Sequence, residues 1–160
     1  MLRNKRSIAS GVIAAVLLMS GVAMADETGS EGRMTVYKTP WCGCCTAWSE
    51  RMEAEGYHVV VHNMEDLTPI RQQAGVPDDM QGCHTAVVEK GKKYVVEGHV
   101  PPAAISKMLD EQPDIRGIAV PGMPAGSVGM GESPDARYTV FSLAGKSGVK
   151  PQPFTEIGDN

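Results

Sequence analysis

Apolar residues in this chain come as one long run near the start and then as short segments broken by polar residues and turns. The long run extends from Ile8 to about Val22, behind the basic residues Arg3, Lys5 and Arg6, and closes on Ala23-Met24-Ala25. A basic stretch, a short apolar core and a small-x-small pattern predict a signal peptide over 1–25, cut after Ala25. A membrane anchor is the competing reading. The run is short for a bilayer and is interrupted by Gly11, Ser20 and Gly21, so the chain is expected to meet the membrane only during export.

A polar, flexible lead-in is expected over 26–33. Met34-Thr35-Val36-Tyr37 is β-prone and predicts a strand that runs into Thr39-Pro40-Trp41-Cys42-Gly43-Cys44-Cys45. Thr46 to Glu55 follows with helical spacing of Ala47, Trp48, Met52 and Glu55, and Trp48 and Met52 form an i,i+4 pair. Gly56 stops that helix. Tyr57 to Val61 predicts a second strand. Asp66 or Thr68 can cap a short helix with Pro69 in its first turn, ending near Gly75. Thr85–Val88 and Tyr94–Val96, joined through Lys90-Gly91-Lys92, predict a β-hairpin. Pro101 and Pro102 then lead into a helix over Ala103–Leu109 with Ile105, Met108 and Leu109 on its apolar side.

The order βαβ, helix, hairpin, helix satisfies a small mixed sheet with one parallel crossover and helices on its faces. An α/β, thioredoxin-like domain over 34–132 is the expected fold class. From Ile118 the pattern changes to Pro- and Gly-rich loop, and Tyr138–Leu143 with Val149–Phe154 predict an added hairpin. We read 133–160 as a C-terminal extension packed on the same domain.

Composition narrows the function. With 160 residues there is no room for a large enzyme with separate cofactor and substrate domains. The formal charge is −4, and becomes −7 once 1–25 and its three basic residues are removed, so no basic footprint for nucleic acid exists. All four cysteines remain in the mature chain, outside the cytosol, where unprotected thiols oxidise. They need a disulfide, a redox partner or a metal.

Cys42 and Cys45 form a Cys-x-x-Cys pair between a strand and a helix, with Cys44 as an extra thiol. A helix N-terminus favours thiolate, which both disulfide exchange and soft-metal binding require. As an oxidoreductase, Cys42 would attack and Cys45 resolve. The third sulfur argues for a polynuclear thiolate site, while a plain structural disulfide stays open. Cys83 and His84 precede Thr85, where a thioredoxin-like fold carries a cis-proline opposite the cysteine turn. His at that place beside Cys points to metal coordination. His99, after the hairpin's second strand, should also approach the turn. His58 and His62 share one face of the second strand and read as surface or core-edge residues.

Of seven methionines outside 1–25, Met34, Met52 and Met108 fit core packing. Met123 and Met130 stand in a loop too rich in Gly and Pro for a helix, where a thioether either plugs a groove or donates to a soft cation. Thiolate, thioether and imidazole suit Cu(I). Zinc needs only a closed Cys/His set, and an iron–sulfur centre fits by ligand count.

Four blocks together, Thr39–Cys45, Gly82–Ala86, Val96–Pro101 and Ala119–Ser127, resemble the CopG-type family of periplasmic metal-binding proteins. The resemblance covers Met34 to about Glu132. It implies a thioredoxin-like fold in the periplasm, copper binding and a role in copper resistance, beside efflux and copper-oxidising systems. Carried over by position, Cys42, Cys44, Cys45 and Cys83 are the expected thiolate ligands, with His99 nearby. Val128 stands where that family commonly has proline. The expected function is a periplasmic protein holding Cu(I) in a polynuclear thiolate site, for sequestration or redox handling. The competing readings are an envelope thiol–disulfide oxidoreductase and a Cys/His zinc-binding structural protein.

Overall fold

A computed structural model of the protein describes residues 31–145 and 149–158. The expected signal peptide and most of the lead-in lie outside the described residues. Seven strands form one sheet: β1 (Arg33–Lys38), β2 (His58–Asn63), β3 (His84–Lys90), β4 (Lys92–Glu97), β5 (Ile115–Ala119), β6 (Tyr138–Ala144) and β7 (Gln152–Ile157). Their order across the sheet is β2-β1-β3-β4-β5-β6-β7. β1 runs parallel to β2 and β4 parallel to β5, while the other neighbours are antiparallel. This is the mixed, thioredoxin-like sheet expected from the element order, with the C-terminal hairpin continuing it at one edge.

Three helices cover the sheet: α1 (Gly43–Ala54), α2 (Thr68–Ala74) and α3 (Pro102–Glu111). Trp48 and Met52 of α1 and Ile105 and Met108 of α3 join Met34, Val36, Ala86, Val88 and Val96 in the main core. The three methionines assigned to packing are there, fully buried. On the opposite face Val76, Val95, Ala119 and Leu143 make a smaller core beneath Ala74, at the end of α2. α2 carries Pro69 in its first turn as expected, but its N-cap is Leu67, without a side-chain cap bond, rather than Asp66 or Thr68; the Asp66 carboxylate accepts the Thr68 amide at 2.8 Å just before it. It ends on Gly75 in the left-handed conformation.

Two differences from the expectation matter. α1 starts at Gly43, three residues earlier than its apolar spacing suggests, because Cys42 caps it: the Cys42 sulfur accepts the Cys45 amide at 3.3 Å. Cys44 and Cys45 therefore lie in the helix's first turn rather than on a loop before it. The strand β5 has no counterpart in the sequence reading. Its five residues, Ile-Arg-Gly-Ile-Ala, lack a clean alternation, and Gly117 is there because a Cβ would collide with the Val95 backbone of β4. β5 ends at Ala119, so the Pro- and Gly-rich segment after it leaves the sheet at the end where β1 meets α1.

Candidate metal centre

Three stretches of chain cross at that end of the sheet. Gly82 and Gly98 meet backbone to backbone: a Cβ on Gly82 would run into the Gly98 Cα, and a Cβ on Gly98 into the Val120 carbonyl. Gly98 also has φ +72°, a conformation open to glycine and costly for other residues. The Gly98 amide donates to the His84 carbonyl and the Val120 amide to the Glu97 carbonyl, both at 2.9 Å. A further isolated bridge pairs Gly82 with Gly122. These contacts bring Cys83, His84 and His99 to the first turn of α1, and lay the 121–131 segment over them as a strap.

The sulfurs fall into one cluster. Cys42 and Cys45 are joined as a disulfide with Cα atoms 5.4 Å apart, and Cys44 and Cys83 are free thiols. The Cys44 sulfur is 3.5 Å from that of Cys42, and the Cys83 sulfur is 3.3 Å from that of Cys45. The segment bearing Cys83 thus folds back against the turn bearing the other three, as its position before β3 predicts.

The histidines complete a second set. Ligand atoms of Cys42, Cys44, Cys45 and Cys83 lie within 4.8 Å of one another, and so do those of Cys45, Cys83, His84 and His99. Two four-donor groups, one all sulfur and one of two sulfurs and two imidazoles, share an edge. His99 is fully buried with its Nε2 2.5 Å from the Cys83 sulfur, and its Nδ1 bonds to the Val128 carbonyl. A carbonyl only accepts, so Nδ1 carries the proton and Nε2 turns its lone pair to the cluster. The residue type at 128 is immaterial to that contact, since the backbone makes it.

His84 is also fully buried, with its ring against Trp48 at 4.3 Å between centroids and its Nδ1 3.6 Å from the Cys83 sulfur. Its Nε2 has no hydrogen-bond partner among the described residues. A buried ring nitrogen left without a partner costs stability, whereas the Nδ1 on the other side of the ring is the one beside the Cys83 sulfur.

Burial sets the protonation of the metal-free site. It pushes the Cys83 thiol up to about 12, with the neighbouring Cys44 acting in the same direction. It takes His84 down to about 3, helped by His99. His99 is lowered by burial too, against the opposing bond to Val128. At neutral pH the site therefore holds a protonated Cys83 thiol donating to a neutral His99. The donor set is soft sulfur with borderline imidazole, which fits Cu(I) and excludes the oxygen-seeking calcium and magnesium.

The two loop methionines are carried on the strap. Met123 is 56% exposed and follows Gly122, whose amide donates to the Gln81 carbonyl at 2.9 Å. Met130 is half-buried beside Gly129, where a Cβ would run into the Cys44 carbonyl. His58 and His62 belong to neither donor group, and His62 stacks on Tyr37.

Sequence reasoning passed over the groups behind the site. Glu97 is fully buried and accepts from the Gly82 amide at 2.9 Å, the Arg71 guanidinium at 3.1 Å and the Thr85 hydroxyl at 2.6 Å. A charged residue ending the otherwise apolar run Tyr94-Val95-Val96 was the one available signal.

Comparison with known proteins agrees with the geometry. A family profile described as a protein of unknown function, DUF411, matches residues 80–130, the span holding Cys83, His84, His99 and the strap. No curated protein matches the chain. A solved structure of a copper resistance protein copG, in its form 1, is 37% identical, with a TM-score of 0.70 over 79% of this chain and 98% of that one. Form 2 of the same name is 38% identical, with a TM-score of 0.68 over 78% of this chain and 96% of that one. At that identity and coverage, the chain belongs to the CopG family of copper resistance proteins.

Proposed function

We propose that the protein is a periplasmic copper-binding protein of a copper-resistance system, holding Cu(I) between the first turn of α1 and the Cys83–His99 side of the cluster. The observation that carries this reading is the gathering of six donors into two groups that share Cys45 and Cys83: Cys42, Cys44, Cys45 and Cys83 in one, Cys45, Cys83, His84 and His99 in the other. One of them, His84, has its Nδ1 3.6 Å from the Cys83 sulfur. Cys45 and Cys83 belong to both donor groups, so either sulfur can bridge two ions. Met123 and Met130, carried on the strap, are candidate thioether donors that would cover the loaded site. The leader expected over 1–25 supplies the export. Efflux or other periplasmic copper-resistance proteins are the partners this role calls for.

Copper uptake has two requirements in this site. An external dithiol reductant must supply two electrons and two protons to open the Cys42–Cys45 disulfide to two thiols, itself becoming a disulfide, and ligating thiols must then release their protons. Once opened, the Cys42 sulfur lies at the N-terminus of α1, where the helix field favours the thiolate. His99 is already in its ligating tautomer.

The Cys42–Cys45 bond itself favours one competing reading, a thiol–disulfide oxidoreductase with Cys42 attacking and Cys45 resolving. Against it stands Cys83, whose sulfur is 3.3 Å from Cys45 and would compete for that sulfur in each cycle. Anaerobic titration of the reduced chain without residues 1–25 with Cu(I), followed by metal quantification, separates the two. The copper reading expects more than one equivalent bound and cysteines protected from alkylation. Insulin reduction by the metal-free protein with no Cu(I) uptake would overturn it.

A further inference from the structure

The metal centre sits on the face of the sheet covered by α1, yet the segment carrying Cys83 and His84 is gripped from the other face. β3 alternates, so His84 shares a side with Ala86 and Val88 of the main core, whereas Thr85 points to the α2 side. Thr85 is paired across the hairpin with Glu97, on that same side. The Glu97 carboxylate is fully buried, and each of its oxygens is used. One takes the Gly82 amide and the Arg71 Nε; the other takes the Thr85 hydroxyl. Arg71, reaching in from α2, also donates to the Gly82 carbonyl at 2.6 Å and to the Gln81 side chain at 3.5 Å.

The peptide groups on one side of Cys83 and the side chain beyond His84 are thus held by one ion pair. Both main-chain polar groups of Gly82 are taken. The N–H goes to the carboxylate and the C=O to the guanidinium. A buried ion pair is a poor way to gain stability, because desolvation of two charges offsets most of their attraction. What this pair does supply is direction: a planar fork on one side and a carboxylate on the other leave the segment a single orientation.

We propose that Glu97 and Arg71 are positioning residues for the metal centre, fixing the Gly82–Thr85 segment so that the Cys83 sulfur and the His84 ring face the cysteine turn. The inference rests on the copper reading for its purpose, but not for its geometry. It makes α2, which contributes no metal ligand, part of the copper site. Removing the clamp leaves the ligands present but lets Cys83 and His84 swing, the outcome seen when outer-shell partners of metal ligands are lost.

The test uses two readouts that a purely structural role would leave unchanged in a folded variant. The first needs no copper. In a Cys42→Ser/Cys44→Ser background only Cys45 and Cys83 remain, and their disulfide equilibrium against a glutathione redox buffer reports how firmly the two sulfurs are juxtaposed. Glu97→Gln should lower that effective concentration by about tenfold or more. The second is Cu(I) affinity in the otherwise intact chain, by competition with a chelator, where the same substitution should cost about 10- to 100-fold. Near-UV circular dichroism and Tm establish that each variant is folded. If Glu97→Gln leaves Arg71 buried and uncompensated and does not fold, Glu97→Gln/Arg71→Gln removes both charges together. Thr85→Val removes a single contact and should shift both readouts the same way by less. Folded variants with parental disulfide equilibrium and parental affinity would overturn the proposal. If the parent takes up no Cu(I), the copper reading falls and the disulfide readout still decides the clamp.

Discussion

The two halves of the metal centre are built in opposite ways. The α1 half is local: three sulfurs within four residues, placed by one helix N-terminus, with Cys42 and Cys44 half-exposed and only Cys45 buried. The other half is assembled from distant segments: Cys83 and His84 before and at the start of β3, His99 after β4, and the Val128 carbonyl from the strap. Its two histidines are fully buried while Cys83 is half-buried like Cys42 and Cys44, and its atoms are held by backbone crossings and by the Glu97–Arg71 pair. The local half carries the Cys42–Cys45 disulfide, so the number of free sulfurs it offers depends on redox state. The assembled half holds no disulfide, and its Cys83 sulfur already lies beside His99 Nε2 and His84 Nδ1. On the proposed copper reading, one half would supply capacity and redox response and the other a template.

The sharpest way to break this contrast is Cys83→Ser. Cys83 is common to both donor groups, so its loss should collapse the bridged site and cost more than the about 100-fold typical of outer-shell changes, read by Cu(I) competition titration. Equal losses from Cys44→Ser and Cys83→Ser would mean that the two halves are not distinct. Next comes oxidation state. With Cys42 and Cys45 disulfide-bonded, two of four sulfurs are withdrawn, and Cu(I) bound per chain should fall to half or less of the reduced value by metal quantification. His99, not needing reduction, should still show its imidazole ligation in the X-ray absorption of the residual copper.

Proton linkage sharpens the comparison further. Cys83 stays protonated up to about 12 in the metal-free protein, so copper must displace that proton. Apparent Cu(I) affinity should rise about tenfold per pH unit for each proton released, and keep rising above about pH 8.5, where an ordinary cysteine would level off. Potentiometric titration of protons released on loading checks it. For stability the relevant group is His84, whose folded value, about 3, lies below that of the unfolded chain, about 6.5. Between those values the unfolded state binds the extra proton, so stability of the metal-free protein should rise with pH through that window and flatten above it. Burial lowers His99 in the same sense. His84→Leu should remove much of that slope in urea unfolding at pH 4.5 and 7. The smallest effect is expected at Val128→Ala: the backbone carbonyl persists, copper affinity should stay near parental, and lost packing should cost at most about 1 kcal/mol by Tm.

Much of this design was legible without coordinates. Trp48 and Met52 announced the buried face of α1 by spacing alone, and the Cys-x-x-Cys pair announced a helix start because only there does a sulfur gain backbone donors. Cys83 and His84 were legible because they precede a β-prone run at a place of known position in a thioredoxin-like sheet. β5 was not, since its Arg116 and Gly117 answer to a neighbouring strand rather than to any local preference. Glu97 showed only as an oddity at the end of a strand; its partners Arg71 and Gly82 are 26 and 15 residues away, and no periodicity links them.

The sequence by itself determined the donor chemistry, the strand and helix that carry three of the sulfurs, and hence the class of ion the site accepts, because these depend on residue type and on spacing within a few residues. Only the tertiary structure decided which thiols are paired, which histidine nitrogen faces the cluster and what holds Cys83 in place. Those are matters of distance and burial between segments that the chain separates and the fold brings together.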